Sequence, residues 1–280
     1  MRAGARRFVP AANRRFSLKR HLALLVQYFL QYSKVRLAYR GDFLISVVTT
    51  VLATVFGIAV VWLIFHRVPN LLGWTFDEIL FLYGFALLPM ALFNTLSINL
   101  YYFGQQYIVE GRFDRILLRP VHSLFQVLFE QFRLESLGDA VLGVFLMVTC
   151  ARRLEIELSA ASWIFLAFAA ICGCVIYLAV FLMLTCVSFW MEDRVGVIPP
   201  VYNMLTFGRY PLDIYSAAVK FILTWIVPFG FATFYPTATV LKSGDYRVYG
   251  WLLPVVTLAF MSLAVTIWNR GVRNYSSTGS

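Results

Sequence analysis

Charge is the scarcest ingredient of this chain. Asp, Glu, Lys and Arg make up 14% of its 280 residues, against about a quarter in a typical soluble domain. Apolar residues reach 60% and aromatics 17%, with 26 Phe. A soluble protein of this length could bury a large core but could not hide so much apolar surface, so the composition points to a membrane protein. Lysine is rarer still, confined to Lys19, Lys34, Lys220 and Lys242. None completes a phosphate-binding loop, which needs Gly-Lys-Ser/Thr at the end of a glycine-rich turn. Lys242 does precede Ser243, but Leu241 stands where the glycine must be. The chain is therefore not expected to use ATP by that motif, nor to be an enzyme. The three histidines, His21, His66 and His122, are far apart. The four cysteines, Cys150, Cys172, Cys174 and Cys186, have no histidine or second pair at metal-ligand spacing. They read as small apolar filler, and no metal or cofactor is expected in this chain.

What is abundant is uninterrupted apolar sequence. Residues 43–65 and 79–103 contain no charge, and each exceeds the roughly 20 residues a transmembrane helix requires. Further spans are expected at about 134–150, 160–190, 215–231 and 251–268. The third carries Glu135 and Asp139 near its start, and the fifth holds Lys220 and Pro228. The expectation is an all-α integral membrane protein with six transmembrane helices.

Positive charge then orients the chain. Ten Lys/Arg fall in 1–42, four in 104–133, Arg194 and Arg209 in 191–214, and Arg270 and Arg273 in the tail. Those eighteen lie on one side, against Arg67, Arg152, Arg153, Lys242 and Arg247 on the other. Both termini are expected in the cytoplasm, and the net charge of +10 is mostly a topology signal. Nucleic-acid binding is not expected, because no basic patch stands apart from a membrane flank.

The remaining organisation follows. Residues 1–16 read as a basic disordered tail and 271–280 as a cytoplasmic tail. Residues 17–40 read as an interfacial helix: Leu18, Leu22, Leu25, Phe29 and Tyr32 recur at spacings of three and four, with Lys19, Arg20, Gln27, Gln31 and Lys34 in other directions. "NRRFSLKR" at 13–20 faintly resembles a twin-arginine signal, but the run after it is broken by Gln27, Gln31 and Lys34, and cleavage is not expected. The permease domain is expected over 41–270.

The stretch YIVEGRFDRILLRPVHS, 107–123, interrupts two apolar runs with charge. On a helix over 110–118, Arg112, Arg115 and Arg119 fall within an arc of roughly 60°. Phe113 and Leu117 form a neighbouring apolar strip, and Pro120 should end the helix near Arg119. A solvated loop that enforces topology would explain the charge, but it has no use for the apolar strip. A cytoplasmic partner or the membrane surface would.

Three weaker signals remain. Glu135 and Asp139 share a helix face. They could serve a proton relay, although a structural or helix-start role near headgroup water is the expectation. Lys220 is expected to snorkel to the cytoplasmic interface. In VPFGFATFYPTATV, 227–240, Pro228, Gly230 and Pro236 break any continuous helix. This is either a kinked helix end or a re-entrant pair of half-helices, which survives at depth only where protein or a cavity satisfies its backbone. Its aromatics Phe229, Phe231, Phe234 and Tyr235 suit a hydrophobic seal or an interfacial belt.

Several segments together carry a resemblance. EGRFDRILLRP (110–120) followed by FQVLFEQFRLESLGDAVLG (125–143) resembles the region after the second span of type-2 ABC export permeases. The likeness is strongest to a bacterial six-span branch of mostly unassigned substrate. LAYRGDF (37–43) and RYPLDIYSAAVKFILTWIVPFGFATFYPTATVL (209–241) are similar to that branch's approach to the first span, and to its fifth span and following outward segment. The resemblance implies a permease subunit in the bacterial inner membrane, paired with an identical or related second permease. Two cytoplasmic ATPase subunits, holding ATP and Mg, would drive it. Glu110, Gly111, Arg112, Phe113, Asp114, Arg115, Leu117 and Arg119 match the coupling helix that seats in the ATPase, with Phe113 and Leu117 as buried anchors. The N-terminal helix matches an elbow leaning on the same partner. Pro228, Phe229, Gly230, Phe234, Tyr235 and Pro236 match an outer gate. Export is implied by the resemblance alone. The aromatic-rich surface fits a lipid or hydrophobic export path and equally fits ordinary lipid contact. An ion-coupled secondary transporter, using Glu135, Asp139 and Lys220, is a rival class, as is a non-transporting scaffold. The lack of visible internal repeats weighs against the former, and the broken outward segment against the latter.

Overall fold

The computed structural model describes residues 23–31, 34, 40–68, 70–191, 198–242 and 246–275. The tail at 1–16 and much of the 17–40 segment lie outside the described residues; of that segment, 23–31 is helical (α1), and Phe29 meets the Phe132 ring edge-on at 5.6 Å. Among the described residues the fold is all-helical. The main helices are α2 (Arg40–Arg67), α3 (Phe76–Ser97), α6 (Leu137–Arg153), α7 (Ala160–Cys186) and α12 (Arg247–Asn274). With their flanking turns, five segments are long and apolar enough to cross a membrane: Gly41–Arg67, Phe76–Val109, Leu134–Arg153, Ala160–Phe189 and Arg247–Asn274. They coincide with five of the six expected spans and extend most of them by a turn or two.

α3 is the central post. It packs on α6 and α7, and α7 packs on α12. Gly84 and Gly143 let α3 and α6 meet backbone to backbone: a Cβ built on Gly143 would fall 2.5 Å from the Gly84 carbonyl oxygen. Close approach through small residues is how helices gain packing contacts where lipid offers no hydrophobic drive. α2 stands at the margin, with Leu44, Ile45, Phe56 and Leu63 exposed, and touches α3 where Gly57 accommodates the Tyr83 hydroxyl.

The bundle has two ends, named here for a residue at each. At the Trp74 end lie the connections 70–75 and 154–159, with Lys242 and Tyr246. They are fastened by Arg153 to Asp77 (3.5 Å) and by Lys242 to Glu78 (2.7 Å) and to the Gly73 carbonyl (2.7 Å). Thr75 and Glu78 form a reciprocal cap that starts α3. At the Phe113 end lie the short helices α4 (Arg112–Leu118) and α5 (Ser123–Phe129), together with the ends of α7 and α12.

The expected fifth span, 215–231, is corrected. The continuous helix there is only α9 (Ala217–Phe221) and a π-helical turn to Ile226, ten residues in all, or about 15 Å at 1.5 Å per residue. Pro228 is the cause: it pushes Val227 out of helical geometry to φ −123, ψ 85. The earlier stretch 198–214 instead runs the length of α3. It begins with α8 (Ile198–Met204), tightens into a 3₁₀ turn, Leu205–Arg209, and ends in a second at Leu212–Ile214. Tyr202 donates to Asn94 (3.0 Å), Arg209 to the Tyr83 hydroxyl (3.0 Å), and the Trp74 indole to Asp213 (3.3 Å). The path therefore climbs from near the Phe113 end to the Trp74 end.

α9 then descends, and α10 (Phe229–Ala232) and α11 (Phe234–Leu241) turn back toward Lys242. The bottom of this hairpin is deep. Cβ atoms built on Gly173 of α7 would strike both the Ala232 carbonyl oxygen (2.6 Å) and Pro89 of α3 (2.9 Å), and the Phe229 ring meets Tyr177 edge-on at 5.1 Å.

Candidate functional site

The region around α4 is built from an aromatic box. A π-helical turn, Gly104–Val109, ends the α3 span, and Gly111 takes a left-handed conformation (φ 68) that a Cβ would strain. This reverses the chain so that α4 lies across the Phe113 end. Arg119 is extended (ψ 141), as its position before Pro120 demands. The Phe113 ring is fully buried among Phe103, Phe189, Trp268 and Tyr275, at centroid distances of 5.6, 5.3, 6.0 and 5.0 Å. Gly271 lets α12 come this close, since a Cβ there would lie 2.3 Å from the Phe189 ring.

Polar bonds complete the anchorage. Tyr275 donates to Asp114 (3.0 Å). Burial and that carboxylate push the Tyr275 hydroxyl above the usual phenol range, so it remains the donor. Buried Gln126 of α5 donates to the carbonyls of Ile116 (3.2 Å) and Val121 (2.9 Å), closing the C-terminal end of α4. Tyr107 donates to Glu130 at 2.5 Å.

This geometry corrects the role expected of Phe113. It is not presented to a partner; it clamps α4 to the ends of α7 and α12. Leu117 is half-buried. The free face of α4 and its exit consists of Arg115, Leu118 (77% exposed) and Arg119, flanked by the exposed Arg112–Glu110 pair at 3.0 Å. Leu118, an exposed leucine beside two arginines, is the apolar surface residue of α4 that sequence reasoning missed. Gln126 left a signal, a lone amide in an apolar run. Tyr275 left none.

The hairpin residues lie together inside the bundle. Phe229, Phe231 and Phe234 are fully buried, Gly230 and Pro236 are buried, and Tyr235 is 2% exposed. They pack inside the chain rather than forming a belt at its surface. Pro228 and Thr233 (φ −136) mark the two breaks. The Thr233 hydroxyl donates to the Phe229 carbonyl (3.1 Å), that of Thr237 to the Thr233 carbonyl (2.9 Å), and Thr224 and Tyr235 share a bond of 2.9 Å. The broken backbone is thus partnered within the protein.

The charged residues fall apart. Glu135 is buried in the turn that precedes α6. Asp139, in the first turn of α6, accepts from Thr54 of α2 at 3.0 Å. Thr54 is midway along α2, so this contact is deeper than the headgroup level expected. Lys220 is corrected: its ammonium pairs with Asp213 at 2.7 Å, and Asp213 also accepts from Trp74 and Tyr246 (2.9 Å). Lys220 therefore belongs to the Trp74 end, opposite α4, because α9 descends from that end. Arg209, expected in the 191–214 loop with Arg194, instead lies against α3. Among the described residues no metal-binding cluster occurs, and all four cysteines are free and buried.

A bundle with five helices long and apolar enough to cross a membrane defines a polytopic membrane protein. The chain belongs to the ABC-2 family of transporter proteins, whose family model matches residues 48–279. It is thus a membrane permease subunit of an ABC transporter. No curated protein and no solved structure matches it.

Proposed function

We propose that this chain is an export permease of the bacterial inner membrane, which forms a translocation path as a dimer with a second permease and is driven by two separate cytoplasmic ATPase subunits. ATP and Mg are held there, since this sequence lacks the Gly-Lys-Ser/Thr closure. The chain crosses six times with both termini in the cytoplasm. Five crossings are the long helices; the other is the broken climb 198–209, with Asp213 in the loop beyond it. The hairpin 217–241 is re-entrant from the outside, and its buried aromatics form the outer gate.

The observation that carries this reading is α4. Its inner face is fixed to α3, α7 and α12 by the Phe113 box, while Arg115, Leu118 and Arg119 project from the bundle. A helix so held can take a push on its free face and pass it to three crossings. Leucine supplies the desolvated contact, and the arginines supply orientation toward an acidic groove.

The test is capture of an ATPase subunit from the native membrane in mild detergent, with ATP turnover measured. Wild type should bring down an ATPase. The double substitution Arg115→Glu, Leu118→Ala should lose capture about tenfold or more, if two contacts worth about 1 kcal/mol each are removed, with unchanged melting. Equal capture and turnover by the variant would overturn the assignment of this face. Absence of any ATPase from active wild-type protein would overturn the coupling mechanism itself.

A further inference from the structure

Arg209 is the most anomalous residue of the described chain. It ends the 3₁₀ turn Leu205–Arg209, and its guanidinium lies against α3 between Tyr83 and Met90. Those residues are seven and fourteen positions into α3, about 10 and 20 Å below the Trp74 end at 1.5 Å per residue. A guanidinium stays charged at any working pH. At such depth it normally pairs with a carboxylate or faces a cavity.

Its partners here are weak. Nη1 donates to the Tyr83 hydroxyl at 3.0 Å, the cation sits 5.2 Å from the Tyr83 ring centre, and Nη2 lies 3.4 Å from the Met90 sulfur. The buried Nε has no partner. Among the described residues no carboxylate oxygen lies within 4.0 Å of the guanidinium. The nearby acid, Asp139, accepts from Thr54 through one oxygen and attracts Arg209 only across a gap longer than an ion pair. The site is also approachable: Arg209 is half-buried, while Thr206 and Phe207 beside it and the outer face of α2 are exposed.

The rest of the arrangement is fixed. The Tyr83 hydroxyl is wedged against Gly57, and the Gly208 backbone is held against Thr233, where a Cβ would fall 2.8 Å from the Thr233 hydroxyl. The arginine is therefore set on a rigid floor, next to the hairpin, with a free N–H beside two engaged nitrogens. An oxyanion can pair with the guanidinium where the half-buried side chain reaches the surface; Nε itself has no exposed surface.

We propose that Arg209 is the intramembrane counter-charge for a transported amphiphile, binding its phosphate or carboxylate while the apolar part lies along exposed α2. This rests on the reading of 198–209 as a crossing. A neutral hydrophobic cargo would gain nothing from a charge placed there.

The test needs no ATPase, so its failure is separate from failure of the coupling reading. Full-length protein in detergent is titrated with dioleoyl phosphatidic acid, dioleoyl phosphatidylcholine or inorganic phosphate, and retention is read by native mass spectrometry. Wild type should retain phosphatidic acid in preference to phosphatidylcholine, and Arg209→Gln should lose that preference by about tenfold or more, the scale of a charge-assisted bond. Free phosphate that displaces the lipid at equal concentration would overturn an amphiphile in favour of a small anion. Equal retention by wild type and variant would overturn the site. Should Arg209→Gln fail to fold, phenylglyoxal modification of Arg209 in wild type decides. Phosphatidic acid should slow it several-fold and phosphatidylcholine should not; equal rates with both lipids would overturn the proposal.

Discussion

Replacing Phe113 with alanine removes one ring from a box of five whose centroids lie 5.0–6.0 Å from it. A fully buried phenylalanine cut to alanine costs about 3–5 kcal/mol, the transfer term plus the cavity left behind. Leu118, 77% exposed, should cost within about 0.5 kcal/mol when truncated. Two melting curves in detergent separate the residues. Phe113→Ala should melt markedly lower and lose ATPase capture together with its fold; Leu118→Ala should melt like wild type and weaken capture alone. A Phe113→Ala protein that melts normally would mean the box does not hold α4. Sequence periodicity assigned Phe113 to the correct strip but to the wrong neighbour. Spacing reveals that a phenylalanine faces away from solvent; it does not reveal whether the surface it meets belongs to the same chain. Four of the five rings come from other elements, including the very end of α12, and no local pattern brings them together.

At the scale of elements, the hairpin 217–241 is latched to the Trp74 end through one carboxylate. Burial by itself would raise the Asp213 carboxyl. Donation from Lys220, Tyr246 and Trp74, together with the Lys220 charge, outweighs that and holds it below the usual carboxylate range. A depressed carboxyl stabilises the fold at pH above its unfolded value, near 4, and the contribution is lost as pH falls through the lower folded value. The melting gap between wild type and Asp213→Asn should therefore be open at pH 7 and close as the pH drops below about 4. A gap independent of pH would mean the ion pair with Lys220 contributes nothing through charge. The same region shows why the expected fifth span went astray. Charge-free runs betray straight helices such as α2 and α7 without ambiguity. The climb 198–209 hides, because Pro199, Pro200, Gly208 and Arg209 destroy both its hydropathy and its period. The apolar segment after it, by contrast, looks like a span and lacks only the length. Pro120 left a plain mark, and the end of α4 was legible from it; the start was not, since the helix expected from 110 begins only at Arg112, after left-handed Gly111. The bonds that hold a broken helix together are tertiary and leave no mark in the order of residues.

For the molecule as a whole, the two ends must face opposite compartments if the chain carries cargo from one to the other. The positive-charge asymmetry survives the corrections: Arg209 leaves the cytoplasmic set and Lys220 joins the other, so the ratio becomes seventeen to six. Labelling of single cysteines with a membrane-impermeant maleimide tests both orientation and crossing number. The native cysteines are all buried, so background is low. Leu118→Cys and Met191→Cys sit at exposed positions of the Phe113 end, and Ser216→Cys is exposed just beyond Asp213. In cells whose outer barrier alone is opened, Ser216→Cys should label, and the other two should label only after the inner membrane is breached. The pair 191 and 216 isolates the stretch between them. Labelling of both from the same side would mean that 198–209 does not cross, leaving five crossings and termini on opposite sides. Labelling of Leu118→Cys from outside would place α4 beyond the reach of any cytoplasmic ATPase. If instead 191 and 216 label from opposite sides with 118 inside, a helix with an arginine at mid-depth has been kept in the membrane. Its cost of several kcal/mol is then borne by the fold for a reason other than packing, since straight apolar helices cross the same bundle without it.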